Sequence, residues 1–159
     1  MIAVVDTGPI NYLVVIGEIE LLPLLYQRVF LPPSVRQELV RPRAPEIVRA
    51  WIASAPAWLE VRAASKSPDE HLAVLDAGER DVILVAGELK GVQVVIDEFR
   101  ARQEAQRRQL SVTGTVGVLA AGSKKGLVSL DKALDRLGQT NFRISPDILN
   151  RLKQAQNLL

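Results

Sequence analysis

Ile2-Ala3-Val4-Val5-Asp6-Thr7-Gly8-Pro9 is an apolar run that stops abruptly at a carboxylate. A short apolar stretch rich in β-branched residues and closed by a turn signal reads as a buried strand. Pro9 stands where a following helix begins, its fixed φ suiting a first helical turn. The stretch therefore predicts a strand that delivers Asp6 to its C-terminal end, beside a strand-to-helix turn. In open α/β sheets that edge is where ligands bind. A carboxylate there is costly unless something positive meets it, so the other acids matter according to whether they can converge on Asp6.

Working outward, Pro9 to Gly17 carries Ile10, Leu13 and Val14 at helical spacing, with Gly17 as its cap, and the leucines at 21, 22, 24 and 25 suggest a second short helix. Arg28-Val29-Phe30-Leu31 is a short strand ending at Pro32-Pro33, and a helix through Val35, Glu38 and Leu39 opens at Ser34 or the proline before it. Glu46 to Ala53 reads as helix and Leu59 to Arg62 as a half-buried strand. Ser67-Pro68-Asp69-Glu70 has the spacing of a capping box and predicts a helix start. Gly78 to Lys90 is helical. Val92-Gln93-Val94-Val95-Ile96 is the clearest internal strand, and it too ends in an aspartate, Asp97. A polar helix over Phe99 to Arg108, a strand at Leu110 to Thr113, a small-residue helix from Thr115 and a short helix from Asp131 to Leu137 follow. Residues 145–159 form a terminal amphipathic helix, opened by Ser145-Pro146-Asp147, with Ile148, Leu152, Ala155 and Leu159 on one stripe. Strands alternating with helices, each apolar on both faces, predict a single α/β domain over residues 1–159, a three-layer α/β/α sandwich around a parallel sheet.

The 159-residue chain is 48% hydrophobic and 24% charged, with a net charge of +2 and a pI near 9.1, which permits a polyanionic partner without demanding one. No apolar stretch approaches the roughly 20 residues that span a bilayer, and the N-terminal run is too short for a signal peptide. The absence of cysteine excludes disulfides and thiolate metal sites and makes the cytoplasm the expected compartment. The single histidine, His71, does not make a zinc site.

In a parallel sheet both strand-end acids, Asp6 and Asp97, lie on one edge. Two carboxylates about 4 Å apart repel by about 4 kcal/mol at an effective dielectric near 20, so such a pair shares a proton or holds a cation. Oxygen-only donors favour Mg²⁺ or Mn²⁺. Glu38, at the margin of its helix's apolar stripe, is a third candidate. Glu79 and Asp81 open the helix at Gly78 and point about 200° apart, so one of them enters a given site. Taken singly, each acid has a plain structural explanation: Asp6 as a turn or cap, Glu79 as a partner of the helix dipole, Glu38 as a solvated side chain.

Together these segments resemble the PIN-domain family of metal-dependent ribonucleases, in particular its VapC-like branch of toxins from prokaryotic toxin–antitoxin pairs. The matching stretches are Val5-Asp6-Thr7-Gly8-Pro9-Ile10 with Leu13 and Ile16-Gly17, Leu31-Pro32 through Glu38-Leu39, and Leu75-Asp76-Ala77-Gly78-Glu79-Arg80 with Ala86. Val95-Ile96-Asp97-Glu98 through Ala101-Arg102, Thr113-Gly114-Thr115 through Leu119, and Lys125-Gly126-Leu127 complete the set. The resemblance implies an endoribonuclease in which Asp6, Glu38, Glu79 and Asp97 are catalytic and Asp6, Glu79 and Asp97 bind Mg²⁺ or Mn²⁺. It makes Thr7, Asp81, Glu98 and Thr115 secondary candidates, and implies RNA as substrate, with an antitoxin protein and a second copy of the chain as partners. Gly8 departs from the small polar residue that such sites carry there. For RNA, Arg100, Arg102, Arg107, Arg108, Lys124 and Lys125 are the basic candidates, although a solvated charged face explains such a run as well. Aromatic residues are too few for a base-stacking platform.

Two rivals compete with this reading. A Mg-dependent phosphatase using Asp6 as nucleophile would want a second aspartate where Gly8 stands, and a non-catalytic RNA- or protein-binding module would not need all four acids.

Overall fold

Five strands form one wholly parallel sheet in the order β3-β2-β1-β4-β5. They are β1 (Ile2–Val5), β2 (Arg28–Leu31), β3 (Leu59–Val61), β4 (Val92–Val95) and β5 (Ser111–Thr113), in a computed structural model that describes residues 1–144 and 146–157, without the side chains of 153 and 155–157. All five fall where the sequence reading places strands: β1, β2 and β4 are largely apolar runs, while the edge strands β3 (Leu59-Glu60-Val61) and β5 (Ser111-Val112-Thr113) are short and only partly buried. The central strand β1 is buried along Ala3, Val4 and Val5, and Val5 lies in register with Val95 of β4. The strand order reverses between β1 and β4, because β2 and β3 build outward on one side and β5 on the other. That switch point leaves a crevice at the C-terminal ends of β1 and β4, where Asp6 and Asp97 lie.

Helices α1 (Thr7–Val15), α2 (Leu21–Leu25), α3 (Pro33–Leu39), α4 (Glu46–Ala53), α5 (Ala77–Gly87), α6 (Phe99–Arg107), α7 (Thr115–Lys124), α8 (Leu130–Gly138) and α9 (Pro146–Asn157) flank the sheet. Pro33 occupies the first turn of α3. Helix α5 buries Val82, Ile83, Val85 and Ala86 and packs on β1, β4 and α3. Gly78 makes the α3–α5 approach possible: a Cβ there would sit 3.4 Å from Val35 Cγ2 and nearer still to two carboxylates. The Ser34 hydroxyl, donating to Asp81 Oδ2 at 2.7 Å, ties the same two helices together. In α9, Leu149 and Leu152 pack against the core while Ile148 is half exposed. Ser145, Leu159 and the side chain of Ala155, which the expected start and stripe of that helix also invoked, lie outside the described residues. No helix among the described residues is long and apolar enough to cross a membrane.

The helix expected at Ser67-Pro68-Asp69-Glu70 is not there. Asp69 Oδ1 instead accepts the backbone N–H groups of His71 and Leu72, at 3.0 and 3.1 Å, and a single turn closes before the chain extends into Asp76. Aspartate competes for local N–H groups in just this way, offering the backbone a turn in place of a helix. The capping box lies at Asp76: its carboxylate accepts from Glu79 N at 2.9 Å, and Glu79 Oε1 accepts from Asp76 N at 3.3 Å.

Candidate active site

The cleft at the switch point encloses about 450 Å³ and is lined by the carboxylates of Asp6, Glu38, Asp76, Glu79, Asp97 and Glu98, together with Thr7, Gly8, Asn11, Tyr12, Phe142 and Arg143. Four elements bring the acids in. Asp6 follows β1, Glu38 comes from α3, Asp76 and Glu79 from the start of α5, and Asp97 and Glu98 from the end of β4. A Cβ on Gly78 would lie 3.1 Å from Glu38 Oε1 and 3.2 Å from Asp6 Oδ1, so those two oxygens face one small space that a glycine keeps open.

The acids differ in what holds them. Asp97 Oδ1 accepts the Thr115 backbone N–H at 2.8 Å, and Oδ2 accepts the Thr115 hydroxyl at 2.6 Å. Gly114 is required for that grip, since a Cβ at 114 would fall 2.5 Å from Asp97 Oδ1. Glu98 caps α6 by accepting from Ala101 N at 2.8 Å. Asp6 occupies the N-cap position of α1 but makes no side-chain cap bond, which removes its plain structural explanation. It is only 9% exposed and has no ion pair among the described residues. Burial pushes its carboxyl up to about 8; the Thr7 backbone N–H offsets part of this, while the nearby Asp76, Glu79 and Glu38 charges add to it. Glu79 is pushed up to about 7, first by burial and then by the charge of Asp76. Carboxylates crowded out of water, with no cation beside them, retain protons or bind a positive ion.

Asp81 does not line the cleft. Its carboxylate accepts from Ser34 and from Arg80 Nε at 3.3 Å, so of the two acids in the first turns of α5 only Glu79 faces the site. None of the basic candidates lines the cleft, although a Cβ on Gly114 would meet Arg102 Nη1 at 2.7 Å as well as Asp97 Oδ1, so Arg102 lies close behind Asp97. Arg102 donates to Ile96 O at 3.1 Å, Arg107 forks onto Glu104 and Arg108 onto Asp69. Arg100 is exposed and lines a separate surface hollow with His71 and Gln103. Lys124 and Lys125 end α7, about 14 Å along the helix axis from Thr115. Sequence reading overlooked Asp76, Asn11 and Arg143. The Asp76–Glu79 spacing ahead of an apolar run was a usable capping signal for the first; nothing local marks the other two.

The donors suit a hard divalent cation. Every ligating atom the cleft can offer is oxygen, and the Thr7 Oγ1 and Asn11 Oδ1 atoms on its wall are buried without a hydrogen-bond partner among the described residues. The carboxylates surround the space rather than meet in it: among the described residues no three acids or histidines already form a closed ligand cluster.

A family model described as PIN domain matches residues 2–157. The chain belongs to the PIN-domain family. PIN domains are nuclease-type folds that act on RNA and commonly employ divalent metals, which accords with an acidic cleft at the C-terminal edge of the sheet. Among solved structures, a PilT N-terminus domain protein from the hyperthermophilic archaeon Sulfolobus solfataricus P2 is similar, with a TM-score of 0.50 and 13% identity, over 91% of this chain and 100% of that one. At that identity the likeness shows the PIN-like fold alone. No match was found among curated proteins.

Proposed function

We propose that the protein is a Mg²⁺- or Mn²⁺-dependent endoribonuclease in which Asp6, Glu79 and Asp97 hold the ion and Glu38 serves the attacking water. The observation that carries this reading is the buried, cation-free carboxylate of Asp6, facing Glu38 across Gly78 in a cleft lined by five other acids. A divalent ion bound there supplies a Lewis acid that lowers the pKa of water and stabilises charge on a phosphate. Asp97, clamped by Thr115, fixes one side of the site. Glu38 is positioned to orient the water that attacks phosphorus and to accept its proton. Thr7 and Asn11, with unspent acceptors on the wall, order solvent around the phosphate. Glu98 and Asp81 have structural employment first, as a helix cap and as the α3–α5 tie.

The role we assign is that of a VapC-like toxin acting on cytoplasmic RNA, restrained by an antitoxin protein and able to pair with a second copy of itself. Arg100, Lys124 and Lys125, exposed and without ion pairs among the described residues, offer contacts to more distant phosphates. The test is Asp97→Asn. Asparagine can still accept the Thr115 N–H, so folding persists, while Mn²⁺-dependent cleavage of single-stranded RNA falls by about 10²–10³-fold or more. Cleavage at the wild-type rate would remove Asp97, and with it the proposed site, from the reaction.

A further inference from the structure

Tyr12, Phe142 and Arg143 also line the acidic cleft, and Arg143 is the only lysine or arginine among the described residues that does so. The segment after α8 that contributes two of these residues is held by specific bonds. The Thr140 hydroxyl donates to Leu137 O at 2.5 Å and accepts from Phe142 N at 3.1 Å. The Tyr12 hydroxyl donates to Asn141 Oδ1 at 2.8 Å, across 129 positions of sequence. The Phe142 and Tyr12 rings meet edge to face, with centroids 4.9 Å apart and an interplanar angle of 84°. The turn at 140–143 is thus fastened to α1, directly beside Gly8 and Asn11.

Arg143 makes no hydrogen bond or ion pair among the described residues, although six carboxylates share its cleft. The contrast with α6 is informative: Arg102, Arg107 and Arg108 all spend their guanidinium groups within the protein. An arginine kept exposed and unpaired at the mouth of an acidic cleft retains its planar fork for an anion, and phosphate matches that fork bidentately. The same cleft repels a polyanion wherever its acids are uncompensated, so a cation at the rim has the largest effect there. Beside it, two partly buried rings present apolar surface on the cleft wall, which suits an unstacked base.

We propose that Tyr12, Phe142 and Arg143 form a nucleotide subsite for single-stranded RNA: Arg143 binds a phosphate next to the one cleaved, and the aromatic pair receives the adjoining base. The subsite rests on the ribonuclease reading above and extends it to substrate form, because a base held in a duplex cannot reach the rings. None of the three side chains touches the reacting phosphate; all of them position the strand.

The experiment is fluorescence anisotropy of a labelled single-stranded oligoribonucleotide of mixed sequence against the full chain, with Ca²⁺ in place of Mg²⁺ or Mn²⁺. Arg143→Gln should weaken binding about fivefold or more and lower the slope of log affinity against log salt by about 0.7, the contribution of one single-strand phosphate. Phe142→Leu, which keeps apolar packing on Tyr12 but removes the ring, should weaken binding by about fivefold or more without changing that slope. Both variants should raise KM for cleavage more than they lower kcat, and Arg143→Gln should leave the melting temperature unchanged. Wild-type protein that binds and cleaves RNA, with Arg143→Gln and Phe142→Leu matching it in affinity and slope, overturns the subsite and leaves the ribonuclease reading standing. Wild-type protein that neither binds nor cleaves overturns both.

Discussion

Asp6 and Asp97 end neighbouring strands in the same way, yet they are held by opposite means. Asp97 is gripped: two Thr115 donors fix both its oxygens. Asp6 is enclosed: it is buried, uncapped and without an ion pair among the described residues, and its carboxyl is pushed up to about 8. The two turns therefore divide the work of the site. The β4 side supplies a positioned carboxylate whose cost is met by hydrogen bonds within the protein. The β1 side stores an unmet demand for positive charge, which only a proton or an ion from outside can satisfy.

The largest effect that can break this contrast is in the pH dependence of stability without divalent ions. Folded Asp6 keeps its proton up to about pH 8, whereas the unfolded chain releases it near 3.8. The folded state therefore loses stability as pH rises through that window, by up to about 1.4 kcal/mol per pH unit. Glu79, raised from 4.5 to about 7, acts in the same direction over its own range. Urea titrations in EDTA from about pH 5 to 8 should show this decline; Asp6→Asn should reduce it to the share of Glu79, and Mg²⁺ should restore stability at the upper end. A wild-type profile that is flat in EDTA would contradict the account of Asp6.

Next in size is Gly114→Ala. Its methyl would fall 2.5 Å from Asp97 Oδ1 and 2.7 Å from Arg102 Nη1, so one of them must move, at a cost of about 1–3 kcal/mol. Denaturant midpoints measure that loss, and cleavage should fall with it because the methyl crowds the positioned carboxylate.

The two threonines sharpen the contrast further. Thr115→Val removes a donor to a charged group and should cost about 1.5–3 kcal/mol. Thr7→Val removes a buried hydroxyl that has no partner among the described residues, and should cost less than about 0.5 kcal/mol or stabilise slightly, while still slowing cleavage. Equal destabilisation by the two would show that Asp6 is gripped as well. Smallest is Gly8→Ser: a Cβ at 8 meets only Asp97 Oδ2, at an ordinary 3.7 Å, so stability should change by about 0.5 kcal/mol or less, with cleavage equal to or above that of the wild type.

Gly8 thus loses its standing as an obstacle. The small polar residue expected there has room, and Asn11, one helical turn along α1, puts an unspent amide oxygen on the same wall. Much else was legible from sequence. The inner strands were visible because a parallel sheet buried on both faces needs largely apolar runs, the edge strands β3 and β5 because short β-prone segments stand between helical patterns, and Asp6 and Asp97 because each interrupts an apolar run. The choice between Glu79 and Asp81 was not, since both fit the first turn of α5; the Ser34 hydroxyl, distant in sequence, draws Asp81 away. The basic run after Asp97 misled for a related reason. Its charges are real, but Glu104 and Asp69 absorb those of Arg107 and Arg108, and Asp69 lies 39 positions from Arg108 in the sequence.

By itself, then, the sequence determined the alternation of strands and helices, the parallel sheet, and the delivery of two aspartates to one edge, because these follow from local periodicity and from where apolar runs stop. Tertiary structure alone decided which other acids face that edge, which arginines remain unspent, and that a turn 130 residues downstream closes one wall with Phe142 and Arg143. Those outcomes depend on pairings between side chains far apart in the chain, and no local pattern encodes them.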